Sequence, residues 1–174
     1  MSSSFSCLAI LSLLALASHL PDASAGVGPL NPAAAAKLVS AVNAVRRQAG
    51  VPPVAWGGAL AQRAKLRAEW LSGPKGRCDL ANANQDPAFG VIRKPIVALT
   101  YFVSGPQRRA ADAVKIWAEE RRWYDAGAKA CVAGSNKCRN YMDMVRPASK
   151  SIGCAVAVCA SGQTLMICAF SPAF

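Results

Sequence analysis

The sequence has a single histidine, His19, and it falls in a leader-like N-terminal stretch. Once that stretch is removed, the chain has none. This excludes a Ser-His-Asp or Cys-His triad, a histidine general base and any histidine metal ligand from the mature protein. Acidic residues are also scarce, nine Asp+Glu against 20 Lys+Arg. Of these only Asp22 lies within residues 1–25, so the mature chain keeps 20 basic and 8 acidic groups, a net charge of +12. Such a surface repels its own copies, so a monomer is expected, and it attracts polyanions. Nucleic acid, anionic lipid and acidic cell-wall polysaccharide are the candidates. Long apolar runs are missing beyond the leader, so no transmembrane anchor is expected.

The N-terminus reads as a secretory signal peptide. Leu8 to Ala17 is apolar apart from Ser12, and Ala23-Ser24-Ala25 is a small-residue cleavage site that leaves Gly26 as the first mature residue. Residues 1–25 are therefore the expected leader and 26–174 a single domain. A secreted, extracellular location follows, the apoplast if the source is a plant. Seven cysteines are present, and Cys7 leaves with the leader. The remaining six are Cys78, Cys131, Cys138, Cys154, Cys159 and Cys168. An even number in a secreted domain predicts three disulfides rather than thiol or metal chemistry.

Asn31 and Pro32 form a helix start, and Leu38, Val42, Val45 and Ala49 recur on one helical face. Arg46 and Arg47 fall in the last turn, where they suit the helix dipole, and Gly50 ends the helix before Pro52-Pro53. A second helix follows Gly57-Gly58 with Leu60, Ala64, Ala68 and Leu71 inward, and Arg63, Lys65 and Arg67 elsewhere. Residues 75–94 read as a loop and 95–103 as a buried, β-branched strand. Ser104 and Gln107 form a capping box for a third helix, on which Ala113, Trp117, Glu120 and Tyr124 share a face. A short helical turn is expected near Tyr141 to Val145. The chain closes in a hairpin, 154–159 and 164–170, with Gly162 in the turn. Helices over a small sheet without βαβ alternation predict an α+β fold.

Several of these stretches resemble one family. Val42-Asn-Ala-Val-Arg-Arg-Gln-Ala-Gly-Val-Pro-Pro-Val-Ala-Trp56 is similar to the first-helix signature of pathogenesis-related class-1 proteins of the CAP superfamily, with Val42 where the family has histidine. Ala110 to Glu120 resembles the family's A-V-x-x-W-x-x-E helix, followed by Tyr124 and Asp125. The cysteine frame matches in order, including Ser151-Ile-Gly-Cys154. The resemblance implies a three-layer α-β-α sandwich and a secreted, defence-associated, non-catalytic protein, with sterol or another lipid as ligand. The apolar ligand is expected near Val97 to Val103 and the loop before it. It also implies the pairs Cys154–Cys168, Cys131–Cys138 and Cys78–Cys159, which the terminal hairpin and the short 131–138 spacing favour as well.

The family's cleft carries two histidines and two glutamates that can hold a divalent metal. Here the tetrad reads Asn82, Val91, Glu120 and Asn140, and the tryptophan of the last motif is Arg146. One carboxylate with two neutral amides does not make a zinc site, so no metal and no cofactor are expected. Glu120 is instead expected to accept hydrogen bonds from the amides of Asn82 and Asn140, with Arg146 nearby.

Two other function classes are open. A secreted hydrolase would need a pair among Glu69, Asp79, Asp86, Asp112, Glu119, Glu120, Asp125 and Asp143, and no spacing selects one. A basic cell-wall polysaccharide-binding protein is suggested by the pairs Arg46-Arg47, Arg93-Lys94, Arg108-Arg109 and Arg121-Arg122. Those pairs lack the interleaved aromatics of single-strand nucleic-acid binders. Secretion also argues against a nucleic-acid partner.

Overall fold

The computed structural model describes residues 26–85, 98–105 and 109–172. The leader, Val91 and the stretch 86–97 lie outside these residues.

Helix α1 spans Pro32–Gln48, and the Asn31 side chain accepts from the Ala34 N–H at 2.8 Å. It ends with Gly50 at φ +69°, the left-handed value that a residue without Cβ adopts freely. Its inward face carries Ala35, Leu38, Val42 and Arg46, all buried. The arginine expected at the helix end for its charge is therefore a core residue. Asn43 turns the chain after the helix. Its amide donates to Val54 O at 2.9 Å and its carbonyl accepts from Val54 N–H at 2.8 Å.

The main sheet runs β1 (Gly28–Pro29), β6 (Ser151–Val158), β7 (Thr164–Ser171), β3 (Ala98–Ser104), with β2 (Ala55–Trp56) parallel to the start of β6. β6 and β7 form the expected terminal hairpin, with Gly162 at φ +78° in its turn. Side chains on these two strands alternate strictly between two cores. Ile152, Cys154, Met166, Cys168 and Phe170 face one cluster, while Ala155, Ala157, Leu165 and Ile167 face the other.

Helix α2 (Gly58–Ser72) covers the second face with Ala64, Ala68 and Leu71. Small residues on both surfaces let it lie close to the sheet. A Cβ on Gly153 would stand 2.2 Å from the Ala61 nitrogen and 2.5 Å from the Gly57 oxygen. Arg67, read from the sequence as lying off the apolar face, is buried on this helix, with its guanidinium 5.6 Å from the Trp70 ring centroid.

The first face is covered by α1, α3 (Ala110–Glu119) and α4 (Arg139–Met144), which contribute Leu38, Val42, Val114, Trp117, Tyr141 and Met144 to one cluster. This is the three-layer α-β-α arrangement. Two local expectations differ. Ser104 ends β3 and α3 starts at Ala110, where Asp112 accepts from the Arg109 N–H at 2.9 Å, so Ser104 is not the cap of this helix; Gln107, its expected partner, lies outside the described residues. Within the expected loop, residues Leu80–Gln85 form a 3₁₀ turn that seats Ala83 against α2. After α3 the chain makes a second 3₁₀ turn, Glu120–Trp123, and a small ladder of β4 (Tyr124–Asp125) with β5 (Ala130–Cys131).

Disulfides join Cys78–Cys159, Cys131–Cys138 and Cys154–Cys168. The last links directly opposed residues of the hairpin.

Candidate functional site

Glu120 sits where α3 tightens into its 3₁₀ turn, at the edge of the core that Trp117 fills from below. A partly buried carboxylate there needs donors. It finds them on α4, where the Asn140 Nδ2 donates to Oε1 at 2.6 Å and the Tyr141 backbone N–H donates to Oε2 at 3.0 Å. Both oxygens are thus engaged by the first turn of α4, where backbone N–H groups have no partner within the helix. The sequence points to Asn140; it gives no signal for Tyr141, whose contribution is main-chain. The Tyr141 ring lies edge-on to Tyr124, with centroids 5.3 Å apart. Burial pushes the Tyr124 phenol above its ordinary range; Tyr141 and Asp125 add to the shift and Arg146 opposes it.

Asn82 is not one of Glu120's donors. Its Nδ2 donates to Gly76 O at 3.2 Å and its Oδ1 accepts from Gln85 Nε2 at 3.1 Å. The reason is the 3₁₀ turn, which commits the Asn82 amide to local carbonyl and amide partners and anchors its neighbour Ala83 in the α2 core. Arg146 donates to Asp143 Oδ1 at 2.8 Å. Val91, the second tetrad position, lies outside the described residues. The residues present therefore do not fit a divalent cation. Each Glu120 oxygen accepts an N–H donor, and among the described residues no three of His, Cys, Asp or Glu gather.

Of the other seven candidate carboxylates five are also engaged, while Glu119 is exposed and Asp86 lies outside the described residues. Glu69 pairs with Lys65 at 2.9 Å, Asp79 accepts from the Ala81 N–H at 2.9 Å, and Asp125 accepts from Gly127 and Ala128 at 2.8 and 3.0 Å. With Asp112 capping α3 and Asp143 held by Arg146, these groups serve turns and helix ends.

The site is braced from behind by a residue whose spacing suggests a helix-end charge at the surface. Arg46 is fully buried. Its Nε donates to Pro52 O at 2.7 Å, Nη1 to Met144 O at 2.7 Å and Arg146 O at 3.1 Å, and Nη2 to Ser149 O at 3.0 Å. A planar guanidinium reaches all four carbonyls, which ties the end of α4 to the loop after α1. Desolvation lowers the Arg46 pKa from its ordinary value. Its position four residues after Val42 on the apolar face is the available sequence signal.

Comparison with known proteins shows what the chain is similar to. Residues 39–170 match the cysteine-rich secretory protein family, CAP. Pathogenesis-related protein 1A1 of Solanum lycopersicum is 31% identical over 78% of this chain and 69% of its own. The basic form of pathogenesis-related protein 1 from Nicotiana tabacum is 32% identical over 75% of this chain and 65% of its own. Among solved structures, a Schistosoma mansoni venom allergen-like protein superposes with a TM-score of 0.60 at 23% identity, covering 80% of this chain and 88% of that one. NaASP2, solved with Zn2+, superposes at 0.56 with 15% identity over 82% of this chain and 80% of that one, a likeness of fold alone. The match along the chain, the α-β-α layering and the three disulfides agree, and the chain belongs to the cysteine-rich secretory protein family.

Proposed function

We propose that this chain works outside the cell as a defence-associated protein of the pathogenesis-related class-1 kind, acting by binding rather than catalysis, with sterol or another lipid as ligand. The observation that carries the non-catalytic reading is the Glu120 carboxylate, both of whose oxygens accept N–H donors from α4. A carboxylate whose two oxygens are both committed to donors within the fold supports a binding rather than a catalytic role. The mature sequence offers no histidine to replace it. The engagement of Glu69, Asp79, Asp112, Asp125 and Asp143 in turns, caps and ion pairs weighs against a paired-carboxylate hydrolase. The leader and the family's plant members support the extracellular, defence-associated setting; among the described residues no helix is long and apolar enough to cross a membrane.

The strand 98–103 is the expected apolar ligand face, and its side chains and Val97 lie outside what the structure describes. A second apolar surface is described: a groove of about 520 Å³ between α1 and β2, lined by Leu30, Pro32, Ala35, Val39 and Trp56. Pockets of that size suit small apolar ligands. Titration with a fluorescent sterol tests the reading. Saturable binding weakened by Val39→Asp supports the groove, and binding that survives Val39→Asp but is lost on changing the loop before β3 supports the strand. Absence of binding at high micromolar sterol overturns the lipid assignment.

A further inference from the structure

The segment 121–139 gathers charge of one sign. It carries Arg121, Arg122, Lys129, Lys137 and Arg139 against one acidic residue, Asp125. All five cations are exposed, and among the described residues none takes part in an ion pair. Asp125 turns its carboxylate to the backbone of Gly127 and Ala128.

The segment is also built to hold its shape. β4 pairs with β5, the Val132 N–H donates to Trp123 O at 2.9 Å, and Cys131–Cys138 closes the loop that carries Lys137. Trp123, half-buried, has two of the cations beside it. Lys137 Nζ lies 4.8 Å from its ring centroid and the Arg122 guanidinium carbon 5.8 Å from it. Cation–ring contact of this kind restrains long side chains that would otherwise sweep through solvent, so the charges are partly pre-positioned.

We propose that this lobe is a docking surface for an acidic polysaccharide, a chain of uronate sugars. Its carboxylates meet Arg122 and Lys137, and the C–H face of a sugar ring packs on the exposed part of the Trp123 indole. Guanidinium recognises carboxylate through paired N–H donors, and ammonium meets it as a point charge. An anionic membrane fits less well, because Val132 is the one large apolar side chain exposed in the lobe. Single-stranded nucleic acid fits less well, because stacking successive bases needs several free rings, and of the lobe's two, Tyr124 packs on Tyr141 and the core, leaving Trp123. The proposal goes beyond the lipid reading and uses neither Glu120 nor the groove at Trp56, so either can fail alone.

Calorimetry of the folded, oxidised protein with polygalacturonate tests it, at about 50 mM salt, where surface charge is weakly screened. Fully methyl-esterified polymer, phosphatidylserine vesicles and a single-stranded oligonucleotide are the comparison ligands. Saturable binding to the free-acid polymer is expected. Arg122→Ala with Lys137→Ala should weaken it about tenfold and flatten its dependence on log salt by about two, one for each cation removed. Trp123→Ala should weaken it with the salt slope unchanged. Lys37→Ala with Lys75→Ala removes the same charge from elsewhere on the surface and should change affinity less than about twofold, as expected for distant surface sites. Thermal melting of each variant checks that the fold is retained. Equal losses in the two double variants would show diffuse attraction and overturn the proposal. So would equal binding of the esterified polymer, or tighter binding of vesicles or oligonucleotide than of polygalacturonate.

Discussion

Replacing Arg46 by methionine removes a buried cation and four hydrogen bonds while keeping most of the side-chain volume. The bonds are short, 2.7 to 3.1 Å, and all go to main-chain carbonyls. Hydrogen bonds to a charged group are worth about 1.5–3 kcal/mol each, and buried carbonyls left unpaired cost about 1–3 kcal/mol. The sum overstates the effect, because Arg146 O keeps the Ser149 N–H at 3.2 Å and because burying the guanidinium carries its own desolvation cost, the cost that lowers its pKa. A net loss of about 3–5 kcal/mol is expected, a large part of the roughly 5–15 kcal/mol that holds a domain together. In urea this moves the unfolding midpoint down by about 2 M for a slope near 2 kcal/mol per M. Arg46→Lys keeps the charge but not the planar fork, and should fall between the two. The control is the neighbouring Arg47, which is exposed and should cost no more than about 0.5 kcal/mol as alanine. Because Arg46 holds the end of α4, the methionine variant should also raise amide exchange at Tyr141, the donor to Glu120. A cost below about 1 kcal/mol for Arg46→Met, or one equal to that of Arg47→Ala, would refute the bracing role.

Three further outcomes can be checked on the same footing. Asn140→Asp sets a second carboxylate against Glu120, so one of the pair titrates higher in the folded than in the unfolded state; melting temperature should be lower than the parent's at pH 7 and recover as pH falls through that raised value to the usual carboxylate range, and a pH-independent difference would count against it. Gly153→Ala drives a Cβ into the α2 backbone and should cost at least about 2 kcal/mol, read from the same urea curves, with a neutral result showing that α2 can slide. Removing disulfides one at a time should rank by the loop each closes, with sequence separations of 81, 14 and 7 residues. That gives losses of about 4.5, 3 and 2.5 kcal/mol for Cys78–Cys159, Cys154–Cys168 and Cys131–Cys138, and a reversed order would point to native-state effects instead.

The sequence by itself determined what depends on local pattern. Asn31-Pro32 and Gly50 bound α1 because caps and left-handed glycines act within a few residues. The apolar runs 154–159 and 164–170 around Gly162 mark a hairpin because strands and tight turns are set by residues near in sequence. Asn82 and Asn140 at the two histidine positions removed the family's two-histidine ligand set whatever the fold. Tertiary structure decided the rest. Arg46 has the spacing of a charge for a helix end, and it is buried because carbonyls 6 to 103 residues away converge on its guanidinium. Asn82 and Asn140 are equivalent as sequence, yet only Asn140 meets Glu120, since a 3₁₀ turn commits Asn82 to Gly76 and Gln85. Ser104 does not cap α3 because it pairs with Thr164 as the last rung of the β3–β7 ladder, and the helix is capped at Arg109 with Asp112 instead. In each case one-dimensional spacing names the polar group, and the partner that satisfies it is supplied by chain segments that only folding brings together.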